Sequence, residues 1–242
     1  MKNQRHSKGF SLIELMVAIT AGLVVIGAAV VFTISTAQSS SANIHSTKVM
    51  QDLRSSLNLI EREIRRSGFD ETAIKYSSAC SDPTDPTKCP VSQFNSLVIA
   101  SPTCIVVSYD NAKIPATSGT LGAGKYHGFR LVQNTNGVGV IQASLAKATA
   151  PSCTSPATDS DWADVTNPDV TNISNLDFSQ PPAVGGCTLT NNGIWVAVQD
   201  VLVQISGTWT DPASHLVTTR SVEESVRARN DLVSLTKPSI CP

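Results

Sequence analysis

Residues that commonly carry catalysis or bind metals are few and scattered in this 242-residue sequence. The sequence has no Gly-x-Ser-x-Gly nucleophile elbow, and its Gly-Ala-Gly-Lys run at 122–125 lacks the spacing of a phosphate-binding loop. Cysteines at Cys-x-x-Cys spacing are also missing, which disfavours a zinc site. The four histidines lie far apart along the chain: His6, His45, His127 and His215. We therefore expect no enzyme, no cofactor and no bound metal.

The sequence also lacks an excess of either charge and contains few aromatic residues. The chain has 18 basic and 19 acidic residues, a net charge of −1, so the basic surface of a nucleic-acid-binding protein is not expected. Only 5% of the residues are aromatic, and they give no visible cluster for ligand binding. Proline does not occur before Pro83, so no helix breaker interrupts the first third of the chain.

The most informative segment is an almost uncharged run from Phe10 to Ile34. As a helix these residues would measure about 37 Å, enough to cross a hydrocarbon layer of about 30 Å. The run contains one acid, Glu14, and a carboxylate at the centre of such a helix costs roughly 2.5–3.5 kcal/mol, and less near an interface. Glu14 therefore needs a partner, unless the segment is an ordinary signal anchor and the carboxylate reaches water.

The residues before this run do not form a usual secretory signal. They are basic, but the apolar run is longer than that of a signal peptide and no Ala-x-Ala-like cleavage site follows it. Cleavage after the run is therefore not expected; if the chain is instead cut before it, between Gly9 and Phe10, a free amine is left on Phe10. The basic leader favours the cytoplasmic side of the membrane, so the rest of the chain is expected on the outer side.

The run from Gly9 to Ala18 closely resembles the processing and helix motif of type IV prepilins and of the pseudopilins of type II secretion. That resemblance implies that a prepilin peptidase cuts after Gly9 and methylates the amine of Phe10. It also implies that Glu14 faces the positive amino terminus of a neighbouring subunit, which would supply the missing partner.

Helical periodicity resumes after a polar segment. Apolar residues follow each other at spacings of three and four and define one face of an amphipathic helix: Val49, Leu53, Leu57, Ile60 and Ile64. Gly68 is the predicted carboxyl-terminal stop. We thus expect a leader at 1–9, a transmembrane half-helix at 10–34, an amphipathic half-helix at 35–68 and a globular domain at 69–242.

Short apolar and β-branched runs beyond the helix predict strands. The first four lie at 96–100, 104–109, 129–132 and 138–141, with a hairpin turn at 134–137; the later ones lie at 173–178, 194–198, 201–210 and 221–227. The segment 146–172 is predicted to be a loop, and its aspartates lack the register of an EF-hand calcium site. The expected fold class is α+β, with a long amino-terminal helix packed on an antiparallel sheet, as in type IV pilins.

All six cysteines follow the membrane segment. An even set in that position indicates disulfides formed in an oxidising compartment, so the domain is expected in the periplasm. Six cysteines allow 15 connectivities, and the short spacing of two of them favours a Cys80–Cys89 bond. The six disulfide candidates are Cys80, Cys89, Cys104, Cys153, Cys187 and Cys241.

Two further segments, Leu57 to Phe69 and Ser225 to Asn230, resemble the helix end and tail of PilW-type minor pilins. This resemblance implies a minor pilin that helps prime pilus assembly and lies at or near the pilus tip, supporting adhesion, twitching motility or DNA uptake. The implied partners are the prepilin peptidase, other minor and major pilins, the inner-membrane assembly platform and, before assembly, membrane lipid. The implied location is the inner membrane, with a single span, and later the filament at the cell surface.

Two alternatives remain open from the sequence. One is a minor pseudopilin that caps the type II secretion pseudopilus, because that class resembles the PilW type in helix and fold. The other is a ligand-binding tip adhesin whose loops contact a host surface or a sugar.

Overall fold

The computed structural model describes residues 11–69, 94, 97–110, 125–181, 186–190, 194–212, 215–234 and 236–242. Gly9, Phe10, Cys80 and Cys89 lie outside these ranges. The chain divides into two compact units, Met1–His45 and Ser46–Pro242.

One long helix, α1 (Leu12–Arg66, 55 residues), accounts for all the helix in the described residues. It begins directly after Ser11, whose carbonyl accepts the first helical hydrogen bond from Leu15 N–H at 3.1 Å. It ends where Gly68 adopts a φ of +76°, a conformation that glycine takes with little strain. The predicted long helix and its stop at Gly68 are confirmed.

The described part of the second unit contains the last turns of α1 and eleven strands. The strands are β1 (Leu97–Ser101), β2 (Cys104–Ser108), β3 (Tyr126–Gln133), β4 (Gly139–Lys147), β5 (Ala163–Asp164), β6 (Asn172–Ser179), β7 (Cys187–Leu189), β8 (Trp195–Ala197), β9 (Asp200–Thr210), β10 (Val217–Arg227) and β11 (Leu232–Ser234). They form three antiparallel sheets with the orders β1-β2-β3-β4-β5, β10-β9-β6 and β11-β8-β7.

The helix packs on these sheets through the apolar face that the sequence predicts. Val49, Leu53, Leu57, Ile60 and Ile64 are all buried and join one core with the inner faces of the sheets. The strand side of that core includes Ile105, Phe129, Ile141, Leu176 and Ile205. The α+β class, with a long helix on antiparallel strands, is thus confirmed, although the strands form three sheets rather than one.

The predicted hairpin between β3 and β4 is present. Asn134 N–H donates to Val138 O, Gly137 N–H donates to Asn134 O, both at 2.9 Å, and Gly137 has a φ of +75°. The sequence analysis missed β5, β7 and β11, because strands of two or three residues leave no detectable apolar alternation. It therefore predicted a single loop at 146–172, where the structure continues β4 to Lys147 and inserts β5.

Among the described residues of the second unit, four cysteines form two disulfides. Cys104, at the start of β2, is bonded to Cys153, and Cys187 of β7 is bonded to Cys241, with Cα atoms 6.1 and 5.8 Å apart. Each bond closes a loop of about fifty residues, a constraint that stabilises a fold by roughly 4 kcal/mol in the chain-entropy model. Disulfide bonding, expected from the even number of cysteines, is therefore present.

Candidate functional site

The first half of α1 presents a continuous apolar surface. Its large side chains from Leu12 to Ile34 are exposed, and this helix is long and apolar enough to cross a membrane. The threonine hydroxyls in the run donate back to carbonyls of the preceding turn, as Thr33 does to Ala29 O at 2.8 Å. Such back-bonding satisfies a hydroxyl without water. This half of the helix fits a single-pass membrane anchor.

Glu14 lies in the first turn of that helix and is exposed. Ser11 is at the N-cap position and Glu14 at N3, so a negative charge stands where the helix dipole is positive. No ion pair joins Glu14 to another of the described residues. Gly9 and Phe10, the predicted processing residues, lie outside the described residues. A carboxylate in this position is available to a cation from another chain.

A second glutamate of α1 has a contrasting environment. Glu63 is only 2% exposed and lies at the end of the helix that packs on the sheets. Its Oε2 accepts a hydrogen bond from Tyr109 Oη at 2.5 Å and lies 3.6 Å from His127 Nδ1. Its Oε1 lies 3.0 Å from Arg62 Nε and 3.8 Å from Arg66 Nη1. The buried charge is therefore compensated by groups of the same unit.

The aromatic side of this cluster is tightly packed. The Tyr109 and His127 rings stack with centroids 4.4 Å apart. Burial, assisted by the hydrogen bond to Glu63, raises the pKa of Tyr109 to about 12. A hydrogen bond with Tyr109 raises the pKa of Arg66, although burial opposes this shift. Tyr109 therefore stays a neutral donor to the carboxylate over the ordinary pH range.

The helix end meets the tail that follows β10. Arg229 N–H donates to Arg65 O at 3.3 Å, and Asn230 Nδ2 donates to Ser67 O at 3.1 Å. A Cβ added at Gly68 would lie 3.1 Å from Asn230 Cβ. The helix end and the tail at Ser225 to Asn230, far apart in sequence, are thus in direct contact.

A buried arginine fixes the loop after β4. Arg130 of β3 is 1% exposed, and its guanidinium lies 4.2 Å from the centre of the Trp162 ring. It donates to Gln142 Oε1 at 2.9 Å and to carbonyl oxygens of the loop, including Ser155 O at 2.7 Å and Pro156 O at 2.9 Å. Because the Cys104–Cys153 disulfide binds the same loop, its backbone is held at two places.

Two of the aspartates in the segment 146–172 have side-chain partners. Asp161 is paired with Lys147 at 2.6 Å, and Asp164 accepts from Gln142 Nε2 at 2.8 Å. In the described part of the chain, no group of three or more His, Cys, Asp and Glu residues could hold a metal ion.

Sequence reasoning missed Glu63, Tyr109, His127 and Arg130 as a set of buried polar residues. The burial of Glu63 could have been predicted from its position in the helix. Residues 60, 63, 64 and 67 share one side of a helix, and the other three are apolar or small. Arg130 could not be found in this way, because arginine in a strand normally marks the exposed face.

Comparison with known families agrees with this arrangement. Residues 4–30 match the model of the prokaryotic N-terminal methylation motif. This motif, an apolar amino-terminal helix and antiparallel sheets together define a type IV pilin-like protein. Residues 42–228 match the model described as prepilin peptidase-dependent protein B, and the chain belongs to that family. No curated protein and no solved structure matches the chain.

Proposed function

We propose that this protein is a PilW-type minor pilin of a type IV pilus, which helps prime pilus assembly and is incorporated at or near the tip. The observation that carries the proposal is the exposed apolar half of α1 with one acid, Glu14, in its first turn. The contact between the two PilW-like segments supports the finer assignment, because both help to lock the helix end onto the sheets. The role is structural and involves no chemical step by this chain.

Processing precedes assembly in this proposal. The family description, prepilin peptidase-dependent protein B, supports the peptidase as a partner. The enzyme cuts between Gly9 and Phe10 and methylates the amine of Phe10. The mature chain then retains its whole apolar helix, and Glu14 becomes its fifth residue. Loss of three leader cations leaves 15 basic against 19 acidic residues, a net charge of −4.

The helix supplies the assembly mechanism. Residues 10–34 hold the subunit in the inner membrane, and the disulfide-bonded domain beyond the helix faces the periplasm. On assembly, this apolar half exchanges lipid for the apolar helices of other minor and major pilins, above the assembly platform of the inner membrane. Glu14 faces the amine of an adjacent Phe10 and sets the axial offset between subunits, because a buried charge is tolerated only when its partner is in register.

Deletion of the gene, with surface pili and secreted proteins measured side by side, tests this function. We expect pili to be lost and secretion to be intact, and the wild-type gene to restore piliation. A Glu14→Ala gene should still yield membrane-inserted protein but fail to enter sheared filaments. Glu61→Ala is the matched control, since Glu61 is an acid of the same helix that pairs with Arg65 on the surface.

The other outcomes identify the rival functions. Lost secretion with intact pili would assign the protein to the type II secretion pseudopilus and overturn the pilus proposal. Normal pili and normal secretion with lost surface attachment would instead favour a tip adhesin. Filaments that contain normal amounts of the Glu14→Ala variant would contradict the role of Glu14 alone.

A further inference from the structure

Strand β10 has a partner strand on one of its two sides. It pairs with β9 along its whole length without a register shift, and no strand in the described part of the chain pairs with its other side. We call this other side of β10 the open edge. Proteins protect an edge strand with a bulge, a proline, a very short length or charged residues. β10 is eleven residues long and has only the charged residues, which favour a partner of complementary charge.

The main-chain groups that point to the open edge follow from the hydrogen bonds at the two ends of β10. Asp211 N–H donates to Leu216 O, and Ala228 N–H donates to Gln199 O, both at 2.9 Å. Residues alternate along an antiparallel strand, so the even-numbered residues bond to β9 and the odd-numbered residues point away from it. The residues whose N–H and C=O groups face the open edge are therefore Val217, Thr219, Ser221, Glu223, Ser225 and Arg227.

A groove lies between α1 and β10, next to this edge. Its volume is about 280 Å³, and its lining includes Ser46, Met50 and Arg54 of the helix and Arg220 of β10. The Arg220 guanidinium is held in place, because it donates to Ser46 Oγ at 2.7 Å and to Thr219 O at 3.1 Å. The second of these bonds reaches a carbonyl that faces the open edge. The groove and the open edge are therefore parts of one surface.

The charged groups that line the groove are two arginines. Arg54 forms no ion pair with another of the described residues, and the bonds of Arg220 to Ser46 and Thr219 go to uncharged oxygens. The acids of β10 do not offset this charge: Glu224 is four residues from Arg220, about 13 Å along the strand, and Glu223 accepts from Gln204 on the opposite face of the sheet. A carboxylate is the partner that this pair of guanidinium groups fits.

We propose that the open edge of β10 binds an extended acidic segment of a neighbouring subunit, which joins the β10-β9-β6 sheet as a fourth strand. Main-chain hydrogen bonds to the odd-numbered residues of β10 hold the segment, and its side chains alternate between the two faces of the sheet. On the helix side an Asp or Glu of the segment enters the groove and pairs with Arg54 and Arg220. The proposed function assigns subunit contact to the apolar half of α1. This inference adds a contact in the folded domain and rests on that function in requiring a neighbouring subunit.

Photocrosslinking of the full chain in cells that produce it tests this contact. A benzophenone amino acid replaces Thr219 in one variant and Leu189 in the control, because Leu189 is an exposed residue of β7, the edge strand of another sheet. Mass spectrometry then identifies the crosslinked peptides. We expect position 219 to form adducts with another pilin subunit, within a segment that contains Asp or Glu, and position 189 to form many fewer.

A proline separates strand addition from contact through side chains alone. Ser221→Pro removes an N–H that faces the open edge and keeps the hydrogen bonds to β9, because the main chain of Ser221 points away from β9. We expect this variant to stay folded and to lose the adducts from position 219. Leu189→Pro is the matched control. Thr190 N–H donates to Ile194 O at 2.8 Å, so Leu189 also points away from its partner strand, and its replacement should leave the adducts at 219 unchanged.

The charge of the groove is tested by Arg54→Gln combined with Arg220→Gln. This variant should lower the yield at position 219 by roughly threefold to tenfold, the effect of losing two exposed ion pairs. An unchanged yield would overturn the acidic segment as the occupant. This variant also decides the matter if Ser221→Pro does not fold.

Three other results would overturn strand addition at β10: equal yields at 219 and 189, adducts at 219 to lipid instead of protein, or unchanged adducts in a folded Ser221→Pro variant. A benzophenone at Leu23, in the apolar half of α1, reports on the proposed function separately. Subunit adducts at 23 without adducts at 219 would overturn this inference and leave the proposed function in place. Adducts at neither position would contradict both.

Discussion

The two halves of α1 differ in where their side chains find partners, and two glutamates show the difference most clearly. Glu14 is exposed in the first turn and has no ion pair among the described residues, whereas Glu63 is buried among Tyr109, His127 and two arginines. The same residue type on the same helix thus serves two purposes. Glu63 stabilises the fold of a single chain, whereas we propose that Glu14 acts between chains.

The apolar residues follow the same division. Those from Val49 to Ile64 are buried in the core, whereas those from Leu12 to Ile34 are exposed. An isolated subunit cannot bury the second set, so it requires lipid or neighbouring helices. One helix therefore joins a region that is complete within the chain to a region that is not.

Of the variants that test the difference between the two glutamates, Glu63→Ala should have the largest effect, and the quantity it changes is the free energy of unfolding. We expect Glu63→Ala to lower the free energy of unfolding of the second unit by about 3–5 kcal/mol, because it leaves buried polar groups without their carboxylate. Urea titration of the full chain in detergent, followed by tryptophan fluorescence, measures this, since all three tryptophans lie in that unit. Glu14→Ala is the control, with a change below about 0.5 kcal/mol expected. Equal losses of unfolding free energy in Glu63→Ala and Glu14→Ala would show that the two glutamates do not differ in their contribution to the fold.

A smaller loss of stability is expected when the hydrogen bond from Tyr109 to Glu63 is removed. Tyr109→Phe should cost about 1.5–3 kcal/mol at neutral pH, because it removes a hydrogen bond to a charged group. The pKa of Tyr109 is raised to about 12 in the fold, so the native state keeps a proton that the unfolded chain loses near pH 10. The contribution of Tyr109 is therefore complete below pH 10 and is lost as the pH rises towards 12.

Urea titrations of wild type and Tyr109→Phe from pH 7 to 11 check this sign. The stability difference between the two proteins should narrow above pH 10. A difference that stays constant to pH 11 would contradict the hydrogen bond as its source.

The smallest expected loss of stability comes from replacing a glycine, and two glycines of the helix region allow a matched comparison. Gly68→Ala should cost about 1–2 kcal/mol, because its φ is +76° and the new Cβ would crowd Asn230. Gly22→Ala is the matched change in the apolar half, where nothing lies within 4 Å, and it should leave unfolding of the second unit unchanged. The urea assay in detergent measures both. A neutral Gly68→Ala would mean that the helix end is less tightly constrained than the contacts with Asn230 indicate.

Much of the fold follows from local sequence. Gly68 marks the helix end, because few other residues adopt its conformation, and spacings of three and four between apolar residues identify the buried face of α1. The longer strands follow from β-branched runs such as Cys104 to Ser108. These signals are local, so no knowledge of tertiary contacts is needed to detect them.

The buried polar residues do not follow in this way. Arg62 and Arg66 are half exposed, as cations near a helix end usually are, but they also compensate the buried acid. That role depends on Tyr109 and His127, which are distant in sequence and come together only in the folded chain. The predicted processing residues Gly9 and Phe10 lie outside the described residues, and the motif alone indicates them.

The loop held by Arg130 has a consequence for how this protein can vary. Four of the atoms that accept from this guanidinium are main-chain carbonyl oxygens, those of Ser152, Cys153, Ser155 and Pro156. Every amino acid has a carbonyl oxygen, so the shape of the loop depends little on which side chains it displays. Its outward-facing residues can therefore diverge between relatives while the underlying backbone path persists.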